Sequence, residues 1–355
     1  MRSIYIGLII VPDVPKNIIK KSLKKFKHDT KIHFPNVQFI FEIKEDMNGG
    51  TAEEVNKNID YAYSWKKEKN WDYSIAITDL PIYKNKKMII SNVNALEKSA
   101  MISLPSLSIY RLKSKLFSIL SNIIYYFYTE NYMYMSRCKL PHVKVASLPS
   151  NELDSDKSET NHFYNSKILG FLKITLGMTF ANKPWQGISS FKKIIALGLA
   201  TGSYISIFYT PWQLSVAYSL PRFFVFMLFS LVSIVIWLVH VHKFWEKPSS
   251  KNKNSYRLLY NLTTLLTMFT LTSLSYIILF LLLLVSIFLF VPDDLFVKWG
   301  NANKSGGVSN YLRLSWFVTS AGLLAGALGS VMENDKKMKQ LTYTTRQYER
   351  SKKIK

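Results

Sequence analysis

The chain is poor in cysteine and in acidic residues, and each shortage excludes something. A single cysteine, Cys138, rules out an internal disulfide and any cysteine-based metal site. Asp and Glu number 23 against 46 Lys and Arg, a formal net charge of +23 over 355 residues. Such an excess suits either nucleic acid or an anionic membrane surface. No RNA- or DNA-binding signature accompanies it. The cations gather instead beside apolar stretches, at Lys192, Lys193, Lys243, Lys247, Lys251, Lys253 and Arg257, and again from Lys336 to Lys355. The expected partner is therefore a bilayer with anionic headgroups, where each such cation is worth roughly 1 kcal/mol. Complete catalytic motifs are missing too. There is no Gly-x-Ser-x-Gly, no His-Glu-x-x-His, no paired-carboxylate arrangement, no P-loop and no Gly-x-Gly-x-x-Gly. No metal and no cofactor is implied, no catalytic residue can be named, and the balance leans away from an enzyme.

What the second half does contain is four long apolar stretches with the charges between them. They cover about 194–210, 223–241, 258–291 and 311–332. The third exceeds the ~20 residues a span requires. As one helix it would measure roughly 50 Å, so it either protrudes or folds into two short spans. Charge decides between them. The segments holding Lys192–Lys193 and His242–Arg257 are basic, Asp293 and Asp294 open the next loop, and the tail 334–355 is basic. The positive-inside rule then favours one third span, four in all, with both termini cytoplasmic in a cell membrane. The surplus length is expected at the cytoplasmic entry, with Tyr256, Tyr260 and Asn261 among headgroups. Gly198 with Gly202 and Gly322 with Gly326 have the spacing that lets helix backbones approach closely. Contact within the bundle and a homo-oligomer through the Gly322/Gly326 face both satisfy it. Thr263, Thr267 and Thr270 form a polar row on the third span, read either as hydroxyls bonded to their own helix or as a lined conduit.

The first 140 residues read as a soluble α/β domain. Ser3–Val11 is a continuous apolar run, the pattern of a strand covered on both faces. It runs into Pro12 and charge without a small-residue cleavage site, which argues for a buried strand over a signal peptide. An amphipathic helix over 17–28, a strand at 37–43 and a helix ending near Lys69 follow. Strands at 72–78, 87–92 and 100–104 and a helix over about 108–132 complete the order β-α-β-α-β-β-β-α. That implies a mixed sheet, since the later strands sit too close for helical crossovers. Residues 141–166 are polar and read as a linker. Residues 167–192 read as an amphipathic interfacial helix, with docking on the front domain as the alternative. The fold class is thus an α/β domain (1–140) fused to a four-helix transmembrane bundle (193–333).

Two places carry candidate ligand chemistry. Thr78-Asp79-Leu80-Pro81 ends a buried strand, where ligands of α/β sheets gather. Asp79 there could bind a cation, a ribose or a partner backbone, or simply cap the turn. Asp46 with Gly49, Gly50 and Thr51 could cradle a phosphate at a helix start. The histidines, His162 among them, are scattered through loops and surface helices.

Several segments together resemble a family of bacterial multi-pass membrane proteins of uncharacterised role. They are Trp71-Asp72-Tyr73, Thr78-Asp79-Leu80-Pro81, Ile102-Ser103-Leu104-Pro105, Gly177-Met178, Ala181-Asn182-Lys183-Pro184-Trp185 and Gly326-Ala327-Leu328-Gly329-Ser330. The resemblance implies a cytoplasmic α/β domain on a membrane bundle and transfers no activity. More faintly, Ile75–Leu104 is similar to the sheet of archaemetzincin-type metalloproteases. Their zinc-binding helix would correspond to 118 onward, which lacks the histidines and glutamate. The expected role is that of a membrane protein whose front domain binds a ligand or protein partner. Alternatives are a transporter or export component, and a membrane-surface enzyme acting around Asp79.

Overall fold

The computed structural model describes residues 2–11, 14–46, 55–84, 87–136, 142–146, 159–164, 166–246, 254–300 and 307–329. These fall into two compact units that divide between Ala181 and Asn182.

In the first unit, β1 (Arg2–Ile10) lies parallel to β2 (Val37–Glu45) on one side and to β3 (Tyr73–Thr78) on the other. The helix α1 (Val14–His33) connects β1 to β2, and α2 (Val55–Lys69) connects β2 to β3. Ile4, Ile6, Leu8 and Ile10 pack with Ile18, Ile19 and Phe26 of α1 and with Ile119 and Ile123 of α3 (Leu112–Thr129). Ile9 faces the other way, onto Ile59 and Ala62 of α2. Burial on both sides is why this strand reads as an unbroken apolar run rather than an alternation.

Beyond β3 come β4 (Ile82–Lys84), β5 (Lys87–Asn94) and β6 (Ser99–Ser103), with β6 parallel to β3 and β5 antiparallel to β6. Two further strands, β7 (Val143–Ala146) and β8 (Glu159–Tyr164), continue the sheet in antiparallel fashion, giving the order β2-β1-β3-β6-β5-β8-β7. The sheet is mixed. The polar linker expected over 141–166 therefore supplies two strands at its ends. Its polar letters hid them because β8 buries a histidine and borrows its order from β5. After α3 comes one short turn, α4 (Met133–Ser136).

The helix α5 (Lys167–Ala181) belongs to this first unit. Gly170 sits against Tyr164 and Met88, and Gly177 lies on the Pro105 carbonyl, where a Cβ would come within 2.0 Å of the oxygen. The expected interfacial helix over 167–192 is thus split, its first part being docked on the α/β unit. Apolar side chains occupy both its buried and its exposed faces, so amphipathicity is not what orients it.

The second unit contains α6 (Lys192–Ser206), α7 (Tyr209–Ala217), α8 (Leu220–Val241), α9 (Asn254–Phe290), α10 (Asp293–Gly300) and α11 (Gly307–Gly329). Among the described residues three helices, α8, α9 and α11, are long and apolar enough to cross a membrane. The stretch expected as a first straight span, 194–210, instead ends at Ser206. There the chain bends by 91° into α7, and Trp212 Nε1 donates to the Ser206 carbonyl at 2.7 Å. The third stretch is one continuous helix. Tyr256, Tyr260 and Asn261, expected among headgroups, are buried, and Asn261 accepts from the Glu246 amide at 2.9 Å. A side-chain amide that receives a backbone donor is better placed inside protein than in a hydrated layer.

The two glycine pairs face each other within the chain. A Cβ on Gly322 would stand 2.6 Å from the Gly198 carbonyl oxygen, and one on Gly326 would stand 2.5 Å from that of Ile194. This contact between α6 and α11 takes up the Gly322/Gly326 face. We expect Gly326→Val to lower the thermal midpoint of the detergent-solubilised protein, overpacking costing about 1–3 kcal/mol. Gly329→Ala, whose Cβ would meet only Leu197 at 3.6 Å, should leave it unchanged; equal shifts in the two melting curves would contradict the packing.

Candidate functional site: the strand-end edge of the α/β unit

The carboxyl ends of β2, β1, β3 and β6 lie side by side because these four strands are parallel. The chain leaves β1 toward β2 and returns from β2 to β3 on the far side of β1, so the strand order reverses here. Such reversals open the crevice in which α/β proteins hold ligands. Backbone bonds tie the exits together. The Asp46 amide donates to the Ile10 carbonyl at 3.2 Å, and the Val11 amide to Ile77 at 3.4 Å.

Asp46 and Asp79 thus share one edge, two strand spacings apart, about 10 Å between backbones. The carboxylate of Asp46 accepts a short hydrogen bond from the Tyr61 hydroxyl of α2. Burial, reinforced by that bond, raises the Tyr61 pKa, so the phenol remains a donor at neutral pH. Gly49, Gly50 and Thr51 lie outside the described residues.

Thr78 and Asp79 are both buried, Asp79 at 5% exposure. Thr78 Oγ1 accepts from the Leu80 amide at 3.1 Å, closing the turn before Pro81. The Leu104 amide donates to the Thr78 carbonyl at 2.9 Å, and Ser103 Oγ to the Leu80 carbonyl at 2.7 Å. Ser106 Oγ then bonds the Ile89 carbonyl and Ser103 Oγ, both at 2.9 Å, while the Tyr164 hydroxyl reaches the Ser106 carbonyl at 2.7 Å. Thr-Asp-Leu-Pro, Ser-Leu-Pro and Gly177 therefore meet in one closed knot. Ser103 and Ser106 were not foreseen as its fasteners. Their only sequence signal is the Ser-Leu-Pro-Ser punctuation after a strand.

His162, expected in a loop, is instead in β8 and fully buried. Its Nδ1 lies 2.8 Å from Ser91 Oγ and its Nε2 3.1 Å from the Met135 carbonyl. A carbonyl can only accept, so Nε2 carries the proton and Nδ1 accepts from the serine. A serine beside a histidine invites a catalytic reading. Here both are sealed from solvent and the second ring nitrogen meets a carbonyl, not a carboxylate, so the pair joins strands. Among the described residues no group of three His, Cys, Asp or Glu side chains could hold a metal.

In the second unit the threonine row is consumed locally. Thr263, Thr267 and Thr270 each donate to the carbonyl four residues back, at 2.7–2.8 Å. Asn182 Nδ2 donates to Thr267 Oγ1 at 2.8 Å. Arg313 Nε donates to the Ser215 carbonyl at 3.0 Å, and its guanidinium also bonds the Val216 and Tyr218 carbonyls. It caps the C-terminal end of α7, where the helix dipole favours a cation.

The fold defines the class: a mixed-sheet α/β unit followed in the chain by a helical unit with three membrane-crossing candidates. Comparison with protein-family models, curated proteins and solved structures finds no match, so the resemblances noted above rest on their quoted motifs alone.

His162 yields a prediction with a definite sign. Burial pushes its pKa from 6.5 down to about 4. Above pH 6.5 both folded and unfolded forms are neutral at this position. As pH falls from 6.5 toward 4 the unfolded chain takes up a proton that the folded one refuses, so stability is lost. The loss across that window should be roughly 3 kcal/mol. His162→Gln should flatten this part of the pH–stability curve; an unchanged slope in denaturant titrations would refute the assignment.

Proposed function

We propose that the chain is a four-crossing membrane protein whose α/β unit, held in the cytoplasm, binds a ligand or protein partner at its strand-end edge. The edge carries the reading. Strand order reverses there, two carboxylates lie along it, and the knot of Thr78, Ser103 and Ser106 holds the loops rigid behind it. With Asp79 buried, the surface on offer is centred on Glu45 and Asp46, while Thr78 Oγ1 closes the turn.

Four crossings are supported by the path of α6 along α9. Asn182 meets Thr267 and Ser203 meets Ser286 at 3.0 Å. Nineteen residues of α9 separate those two points, about 28 Å of rise. The chain from 182 to 203 therefore travels nearly the ~30 Å of a hydrocarbon core, and α7 lies across its far end. With α6 as a crossing, two crossings separate Lys192 and Lys193 from the basic 242–257 loop and place both on one side, as the positive-inside rule asks. The threonine row offers the transporter reading nothing, because its hydroxyls are spent on their own helix.

Orientation can be tested in a Cys138→Ser background. An impermeant maleimide on intact cells should label Asp294→Cys and should reach Lys243→Cys only after permeabilisation; the opposite pattern inverts the proposal. For binding, a photo-crosslinking residue at Glu45 should capture one reproducible species. The same residue at Lys69, at the opposite end of the strands, should not. Indistinguishable capture from both positions would remove the strand-end edge as the binding surface.

A further inference from the structure

The docked helix α5 leaves half of itself uncovered. Gly170, Ile174, Gly177 and Met178 are buried against the α/β unit. The close approach of Gly177 to the Pro105 carbonyl fixes the rotation of the helix. The opposite side exposes Ile168 at 74%, Leu172 at 49% and Leu176 at 44%. A helix with apolar side chains on two opposite faces calls for a cover on both, and at 15 residues, about 22 Å, α5 is too short to cross a bilayer.

The patch continues onto a neighbouring loop. Ile109 and Leu112 line the same hollow as Gly177 and Phe180, and beside them Tyr110 stands 75% exposed. The backbone takes positive φ at Ser108 and Arg111 (64° and 53°), on either side of Ile109 and Tyr110.

Charge selects the occupant. Arg111, Lys113 and Lys115 border the loop, and Lys167 and Lys173 lie on α5; neither 104–129 nor 166–181 contains an acidic residue. Lys115 and Lys173 are close enough to repel each other's charge. A second copy of this face would bring like charges together, whereas an anionic lipid surface would satisfy both the cations and the apolar residues. The tether favours lipid too, since only Asn182 and Lys183 separate Ala181 from Pro184, where the helices of the second unit begin. Such a short link keeps the local lipid concentration high.

We propose that the outer face of α5, with Ile109 and Tyr110, docks on the anionic headgroup layer of the bilayer and holds the α/β unit against it. The inference rests on the membrane reading above. It is tested with the full chain in nanodiscs of 3:1 phosphatidylcholine to phosphatidylglycerol. Spin labels are placed singly by Leu172→Cys, Leu176→Cys, Asp60→Cys and Leu282→Cys in a Cys138→Ser background, and collisions with oxygen and with a nickel chelate are compared. Labels at 172 and 176 should favour oxygen on the order of tenfold more than the label at 60, the contrast between the acyl boundary and water. Lys113→Glu with Lys173→Glu, or pure phosphatidylcholine, should shrink that contrast. Labels at 172 and 176 as aqueous as that at 60, with 282 still in lipid, would overturn the docking and leave the membrane reading standing. An aqueous label at 282 would overturn both. Shielding of 172 from both reagents, with dipolar broadening between copies, would replace lipid by a second copy.

Discussion

Polar groups that leave water must find partners inside the chain, and the two units meet that demand in different ways. In the α/β unit, side-chain hydroxyls take up the carbonyls that the sheet leaves unpaired at its ends. Ser103 bonds Leu80, Ser106 bonds Ile89, and Tyr164 bonds Ser106. These bonds lock the exits of β3, β5 and β6 and give α5 a rigid floor at Pro105. The edge proposed for binding depends on them, because flexible strand ends would lose their geometry when a ligand arrived.

In the helical unit, polar side chains along the apolar helices turn inward to backbone. Thr263, Thr267 and Thr270 bond their own helix, Ser230 bonds the Ser320 carbonyl, and Tyr276 bonds Ser320. The break between α7 and α8 would expose carbonyls at the C-terminal end of α7. Arg313 covers them, with its guanidinium also over the Phe223 ring at 5.4 Å. A cation in an apolar unit is usually read as functional; this one has a structural task that accounts for all its visible contacts. Close glycine contact between α6 and α11 supplies the packing that lipid exclusion cannot.

Much of the first unit's core was legible from local pattern. The apolar run of β1, the helical spacing of α1 and the turn at Thr78–Pro81 each carry their own signal over a few residues. The candidate site was legible only as an address. Its strand end and its carboxylates could be named, but the burial of Asp79, the Tyr61–Asp46 bond and the Ser103 staple depend on neighbours 15 to 23 residues away. β7 and β8 left no readable pattern, because half their letters are polar, β8 takes its partner from the distant β5, and β7 pairs only with β8. The placing of α5 was equally hidden. A helix with apolar side chains on two opposite faces says that it is covered, not by what.

Hydropathy and charge order act through the solvent each residue meets, and solvent preference belongs to the residue itself. That is why four apolar stretches, three of them now the membrane-crossing candidates, the basic loops and a two-sided sheet could be read from the letters. Pairing across the fold is a property of two distant segments at once. The antiparallel docking of β8 onto β5, the bend after Ser206, the mutual contact of the glycine pairs and the capture of α5 by Pro105 were therefore settled by packing, where sequence separation carries no information about distance.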